Sequence, residues 1–234
     1  MWLTSDSFKA VFWVAVVPAF LAIGLLLVAV HEPVREGGRS VRFPLSLSEL
    51  QKLSPGYWLV VAVATTFSLA RFSEAFLILK AKTVGLPLVM VPMVLVVMNV
   101  VYALAAYPAG VISDRTNRMG VLIIGFAMLI AADVSLAFSG GLAGVTFGIV
   151  LWGLHMGFTQ GLLATLVADT APTDLRGTAY GPFNLLGGLA LLAASVLAGA
   201  LWDAFGARAT FLAGAGFTAV AVVAWAPSVG NCLI

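Results

Sequence analysis

The sequence predicts an all-α integral membrane protein with seven transmembrane helices, the last six forming two inverted three-helix repeats. Three observations carry this. Of the 234 residues 62% are hydrophobic and only 9% charged, with a mean hydropathy of +1.08, against roughly 25% charge in an ordinary soluble domain. Seven apolar runs follow one another, each bounded by charge, Pro or Gly. A glycine–aspartate–arginine hinge recurs three helices apart.

The runs are about 10–30, 56–80, 84–112, 119–138, 142–168, 178–202 and 209–227. Each can cross a ~30 Å hydrocarbon core as a helix, the only open-ended element that satisfies its own backbone there. The first run is longer than a signal-peptide core, has only Lys9 before it and ends in His31-Glu32-Pro33 without a small-residue cleavage pattern, so it reads as a retained span. Residues 1–30 are thus a leading helix. Residues 31–55, HEPVREGGRSVRFPLSLSELQKLSP, hold much of the charge and read as a cytoplasmic surface linker, and 56–234 as a six-helix unit.

Loop charge sets the orientation. Arg35, Arg39, Arg42, Lys52, Arg115, Arg118 and Arg176 lie on one side and Lys9, Lys80, Lys82 and Arg208 on the other. The bias places the N-terminus outside and the C-terminus in the cytoplasm. The net charge of +2 and the absence of basic clusters interleaved with aromatics give no nucleic-acid signature. The single cysteine, Cys232, excludes an intramolecular disulfide and a cysteine metal site. No nucleotide-binding loop and no metal motif is present, so no cofactor is expected.

Gly110-x-x-x-Asp114-x-x-Asn117-Arg118 closes the third run, and Gly199-x-x-x-Asp203-x-x-Gly206-x-Arg208 closes the sixth. Hinges three helices apart fall on opposite membrane faces, as an inverted pair of three-helix units requires. The segment Gly110-Val-Ile-Ser-Asp114-Arg115-Thr116-Asn117-Arg118 resembles the G-x-x-x-D-R-x-G-R signature of the major facilitator superfamily. Residues 166–188, with Pro172, Arg176 and Gly177 leading into a Gly-rich helix, resemble that family's next cytoplasmic hinge. Asn117 stands where the family usually has glycine, and Asn is among the few other residues that enter the left-handed region readily.

The resemblance implies a secondary active transporter in the plasma (bacterial inner) membrane that moves a small solute by alternating access, driven by an ion or proton gradient. It implies the C-terminal half of the family's twelve helices plus the helix before it, and therefore a missing N-terminal half or a second copy as partner beside the lipid bilayer. It also implies that Asp114, with Arg115, Arg118, Gly110 and Asn117, forms a gating latch. In that latch Asp114 pairs with arginine and with a neighbouring helix N-terminus, for which the start at Thr178 behind Arg176 is the candidate.

Ionisable groups at membrane depth need a partner or a wet cavity. Arg71 and Glu74, three apart with Ser68 on one helical face, read as an ion pair in the substrate cavity with Glu74 a proton carrier, or as two charges that neutralise one another or lie near enough to the outer interface to be wet. Asn99, near the middle of the third run, can bond substrate or another helix. Gly153, Gly157 and Gly161 form a row on which a helix can approach closely. His155 lies ~200° around from that row at ~100° per residue, on the face of Trp152 and Thr159, which favours a cavity position over a buried interhelical hydrogen bond. Spans two and five, which hold Arg71 with Glu74 and His155, are also the ones the resemblance makes cavity-lining.

Other classes fit less well. A retinal protein needs a lysine in the last helix, and 209–227 has none. A seven-helix ligand-sensing receptor does not account for the repeated hinge. His155 is the sole histidine within a run, so no enzyme constellation is readable.

Overall fold

The computed structural model describes residues 8–29 and 47–229. Within them all regular structure is helical: α1 (Phe8–Ala29), α2 (Leu47–Leu50), α3 (Pro55–Ala70), α4 (Ala75–Thr83), a 3-10 turn (Leu88–Met90), α5 (Val91–Arg115), α6 (Arg118–Phe138), α7 (Leu142–Thr170) and α8 (Arg176–Val229). Most of the expected linker, and Cys232, lie outside the described residues. The chain divides into two units, Met1–Phe43 and Pro44–Ile234. The first contributes α1, whose Trp13, Phe20 and Leu27 are exposed, as suits a helix solvated by lipid tails.

In the second unit five segments are long and apolar enough to cross a membrane: Pro55–Thr83, Leu88–Arg115, Arg118–Phe138, Leu142–Thr170 and Arg176–Val223. The runs expected at 178–202 and 209–227 fall within α8, which is two helices meeting at Gly206 (φ 78°, ψ 178°). That conformation is open essentially to glycine alone. The turn between the two helices therefore sits on one residue.

Local chemistry fixes the helix starts. Ser54 is extended, accepts the Tyr57 N–H on Oγ at 3.1 Å and precedes Pro55, a pairing of N-cap and first-turn proline. Its hydroxyl also donates to the Thr170 carbonyl at 3.2 Å, tying α3 to the end of α7. Asn117 has φ −78° and ψ 113°, and its Oδ1 accepts the Met119 N–H at 2.9 Å. The expectation that Asn117 substitutes for a left-handed glycine is corrected: it is the N-cap of α6.

α7 packs against α5 and α6, and α8 against α3 and α6. Small residues set the spacing. A Cβ on Gly153 would meet the Met98 carbonyl oxygen at 2.6 Å, and one on Gly157 the Ala105 Cβ at 2.7 Å, so α5 lies on this part of the glycine row. Gly161 has nothing within 4 Å and is not part of that contact, a correction to the three-residue row. Gly125 and Gly148 serve the α6–α7 contact, against Thr159 and Leu136. The outward apolar side chains include Leu104 and Tyr107 on α5 and Leu192 and Val196 on α8.

Candidate functional site

The path Pro55–Thr83 is not one helix. Arg71 leaves helical geometry (φ −96°, ψ 78°), and α4 restarts after Glu74. No Pro or Gly lies in Leu69-Ala-Arg-Phe-Ser-Glu-Ala-Phe76. Tertiary burial explains the break: Phe72 turns inward, 4% exposed, into ring contacts with Phe76, Trp152 and Phe211 at 5.3–5.5 Å. The freed backbone donors find hydroxyls, as non-helical backbone at membrane depth must. Ser73 N–H donates to Ser195 Oγ on α8 at 3.2 Å, and Ala75 N–H to Ser73 Oγ at 3.3 Å.

Two cavities border the break. The larger, about 600 Å³, is lined by Arg71, Phe72, Ser73, Glu74, Trp152 and Ser195 among others. The smaller, about 340 Å³, includes Ser68, Arg71, Gln160, Phe183, Asn184 and Gly187. Arg71 belongs to both. The first falls within the range typical of small-molecule sites.

The expected single face of Ser68, Arg71 and Glu74 is corrected by the break, which separates Arg71 at the end of α3 from Glu74 before α4. The expected contact ion pair is also corrected. The ion pairs among the described residues are Arg118–Asp114 and Arg118–Asp169, and no carboxylate among those residues lies within 4 Å of the Arg71 guanidinium. Glu74 makes no side-chain capping bond to α4.

His155 is fully buried, and both ring nitrogens lack a hydrogen-bond partner within the described residues. It stands edge-on to Phe67 and Trp152 at 5.9 and 5.7 Å. Those two rings line the cavities and His155 lies behind them, which corrects its expected cavity position. Asn99 is exposed on α5 and donates to the Leu95 carbonyl at 2.8 Å, so it lies outside both cavities. Gln160 and Asn184, neither of which the sequence singles out as a site residue, line the smaller cavity. Asp133 on α6 is 0% exposed, and neither carboxylate oxygen has a partner among the described residues.

A second cluster joins the ends of α5, α6 and α7. Arg118 Nη1 donates to Asp169 Oδ2, and Arg118 Nη2 lies 3.6 Å from Asp114 Oδ1. Asp114 thus meets an arginine, Arg118, while at the expected helix start Arg176 Nε donates to the Ala168 carbonyl at 3.1 Å and Thr178 Oγ1 to Glu49 at 3.4 Å. Arg115 is exposed, and Gly110 has open space around it. At the echoing hinge Arg208 lies over the Phe138 ring, 4.3 Å from its centroid, so the two hinges hold their arginines differently.

Apolar helices of spanning length, a helix broken beside a mainly apolar cavity that holds two charged groups, and a charged cluster at helix ends define a multi-pass helical membrane protein. The chain belongs to the Major Facilitator Superfamily, whose family model matches residues 1–195. It is 28% identical over 214 residues to an uncharacterized MFS-type transporter of Methanocaldococcus jannaschii, a match covering 89% of this chain and 52% of that protein. The chain spans about half the length of the curated relative it matches.

Proposed function

We propose that this chain is the seven-span, C-terminal part of a secondary transporter, moving a small solute by alternating access between two membrane-exposed states. The observation that carries the reading is the break at Arg71–Glu74. It puts two opposite charges, near enough to act on each other but not in ion-pair contact, on the wall of a cavity of about 600 Å³ inside a segment apolar enough to span. Charges at such depth mark transport paths in membrane proteins. Arg71 engages the solute, Glu74 is the ion- or proton-carrying carboxylate, and the Arg118 cluster holds helix ends together in one state. The leading helix, the linker and the inverted pairing of spans two to four with five to seven belong to the same proposal. So do a cytoplasmic C-terminus and location in the plasma membrane.

The exposed apolar faces of α5 and α8, together with the half-length match, support a second six-helix unit completing the path, either an N-terminal half or a second copy. The test uses Ser73→Cys and Ser195→Cys in a Cys232→Ser background, treated in vesicles with a membrane-impermeant thiol reagent. Labelling at both positions is expected. Two unreactive cysteines in every condition would remove the break from a water-filled path.

A further inference from the structure

The polar groups around the break differ in what remains open to a ligand. Ser68 donates to the Ala64 carbonyl at 2.8 Å and Ser195 to the Leu191 carbonyl at 2.9 Å, so both hydroxyl protons are committed to their own helices. Ser73 Oγ and Ser195 Oγ also accept the backbone donors released by the break. The Arg71 guanidinium, with five N–H donors, faces both cavities without a carboxylate contact. Trp152 contributes ring surface to the wall of the larger one, while its indole N–H is buried away from that cavity and has no acceptor among the described residues. Gln160 and Asn184 add two amides to the smaller cavity. Beyond these, the larger wall is apolar, with Phe72, Ile78, Leu95 and Leu192.

Glu74 is the one acidic group here. It lines the larger cavity alone, whereas Arg71 lies on the wall common to both. A guanidinium matches a carboxylate by two parallel hydrogen bonds, and this geometry discriminates more sharply than a point charge. A donor-rich centre with an apolar wall on one side suits a ligand with a charged head and an apolar body.

Resting on the transporter reading above, we infer that the solute is an amphipathic organic monoanion, a carboxylate on an apolar or aromatic body, with its head on Arg71 and its body against Phe72 and Trp152. Glu74 sets the sign of the selectivity: its negative charge opposes an anion and favours a cation. Charge and shape recognition are then divided between the two sides of the helix break.

The test is titration calorimetry of the full chain in lipid nanodiscs, with empty nanodiscs subtracted, using benzoate, its neutral isostere benzamide and the cation benzylamine. Benzoate is expected to bind at least tenfold more tightly than either analogue, the low end for a charge-assisted hydrogen bond. Arg71→Gln should abolish that preference while leaving benzamide unchanged, and Arg71→Lys should retain part of it. Glu74→Gln should strengthen benzoate about two- to fivefold and weaken benzylamine, an opposite-signed pair of effects that a merely structural role does not produce. Equal or tighter binding of benzamide or benzylamine would overturn the inference. So would benzoate affinity unchanged in Arg71→Gln, or failure of all three to bind. Phenylalanine binding more tightly than benzoate, and weakened by Glu74→Gln, would overturn it in favour of a zwitterion. Cysteine labelling at 73 and 195 separates the two levels: labelled cysteines without anion preference sink the solute class alone, and unlabelled cysteines sink the cavity reading itself.

Discussion

Arg118, the first residue of α6, donates from Nη1 to the Asp169 carboxylate near the end of α7, fifty-one residues away in sequence. The same guanidinium reaches Asp114 in the last turn of α5 at 3.6 Å. One arginine thus touches the ends of two helices while standing at the start of a third. All three side chains are partly solvent-exposed. Exposed ion pairs contribute only about 0–1 kcal/mol to stability. Asp169→Asn and Arg118→Gln are therefore expected to lower the detergent-solubilised Tm by no more than about 4 °C. A larger loss in thermal-shift measurements would make the cluster a folding element instead of a latch.

The glycine row gives a graded series. Gly153→Ala places a Cβ against the Met98 carbonyl oxygen, and Gly157→Ala places one against Ala105 and the Ala106 nitrogen, at 3.0 Å or less in each case. The blocking atoms include backbone, so α5 must move away from α7. Each substitution should cost about 1–3 kcal/mol, as overpacking does. Gly161→Ala meets open space and should leave Tm unchanged or slightly raised. Equal behaviour of the three variants would contradict the α5–α7 contact.

Asp133 faces Gly214, where an added Cβ would meet its Oδ2 at 2.7 Å and Phe72 at 2.9 Å. Its oxygens have no donor in the described residues. A buried carboxylate without donors is costly, whereas a neutral isostere relieves part of that cost. Asp133→Asn should hold or raise Tm, and Gly214→Ala should lower it. A fall of more than about 5 °C in Asp133→Asn would point to a partner for this carboxylate outside the described chain.

Tyr57 is fully buried and donates its hydroxyl to the Ala179 carbonyl at 2.7 Å, joining α3 to α8. Tyr57→Phe keeps the ring and loses the bond. The expected cost is about 1 kcal/mol, read as a shift in chemical or thermal unfolding of the solubilised chain. No change would mean that the α3–α8 contact is carried by packing alone.

Much of this architecture is legible in the sequence because lipid leaves few choices. Apolar runs between charged hinges marked α1, α6 and α7 to within a few residues, whereas the second run covers the broken pair α3 and α4, the third starts seven residues before α5, and α8 joins the last two runs, with Gly206 as one turn residue in place of a loop. Arg71 stood out as an ionisable group at depth. The break beside it could not be read, because Leu69–Phe76 lacks Pro and Gly, and what pulls the chain out of helix is the burial of Phe72 against rings more than seventy residues away. Helical periodicity assigned His155 to the Trp152 face correctly but carries no information on depth, and the ring ended behind that face. Asp169 was missed since a lone acid at a helix end looks like an ordinary solvated residue. Its signal is the arginine it meets, which only packing brings near.

The central claim is that the break at Arg71–Glu74 is a path whose access is governed by the Arg118 cluster. Sidedness of labelling tests this most directly: Ser73→Cys in the Cys232→Ser background is reacted with an impermeant thiol reagent in right-side-out and in inverted vesicles, with and without Arg118→Glu. The account predicts that the parent reacts predominantly from one side and that Arg118→Glu, which repels both Asp114 and Asp169, moves reactivity toward the other. Identical sidedness and rate in the two proteins would contradict it.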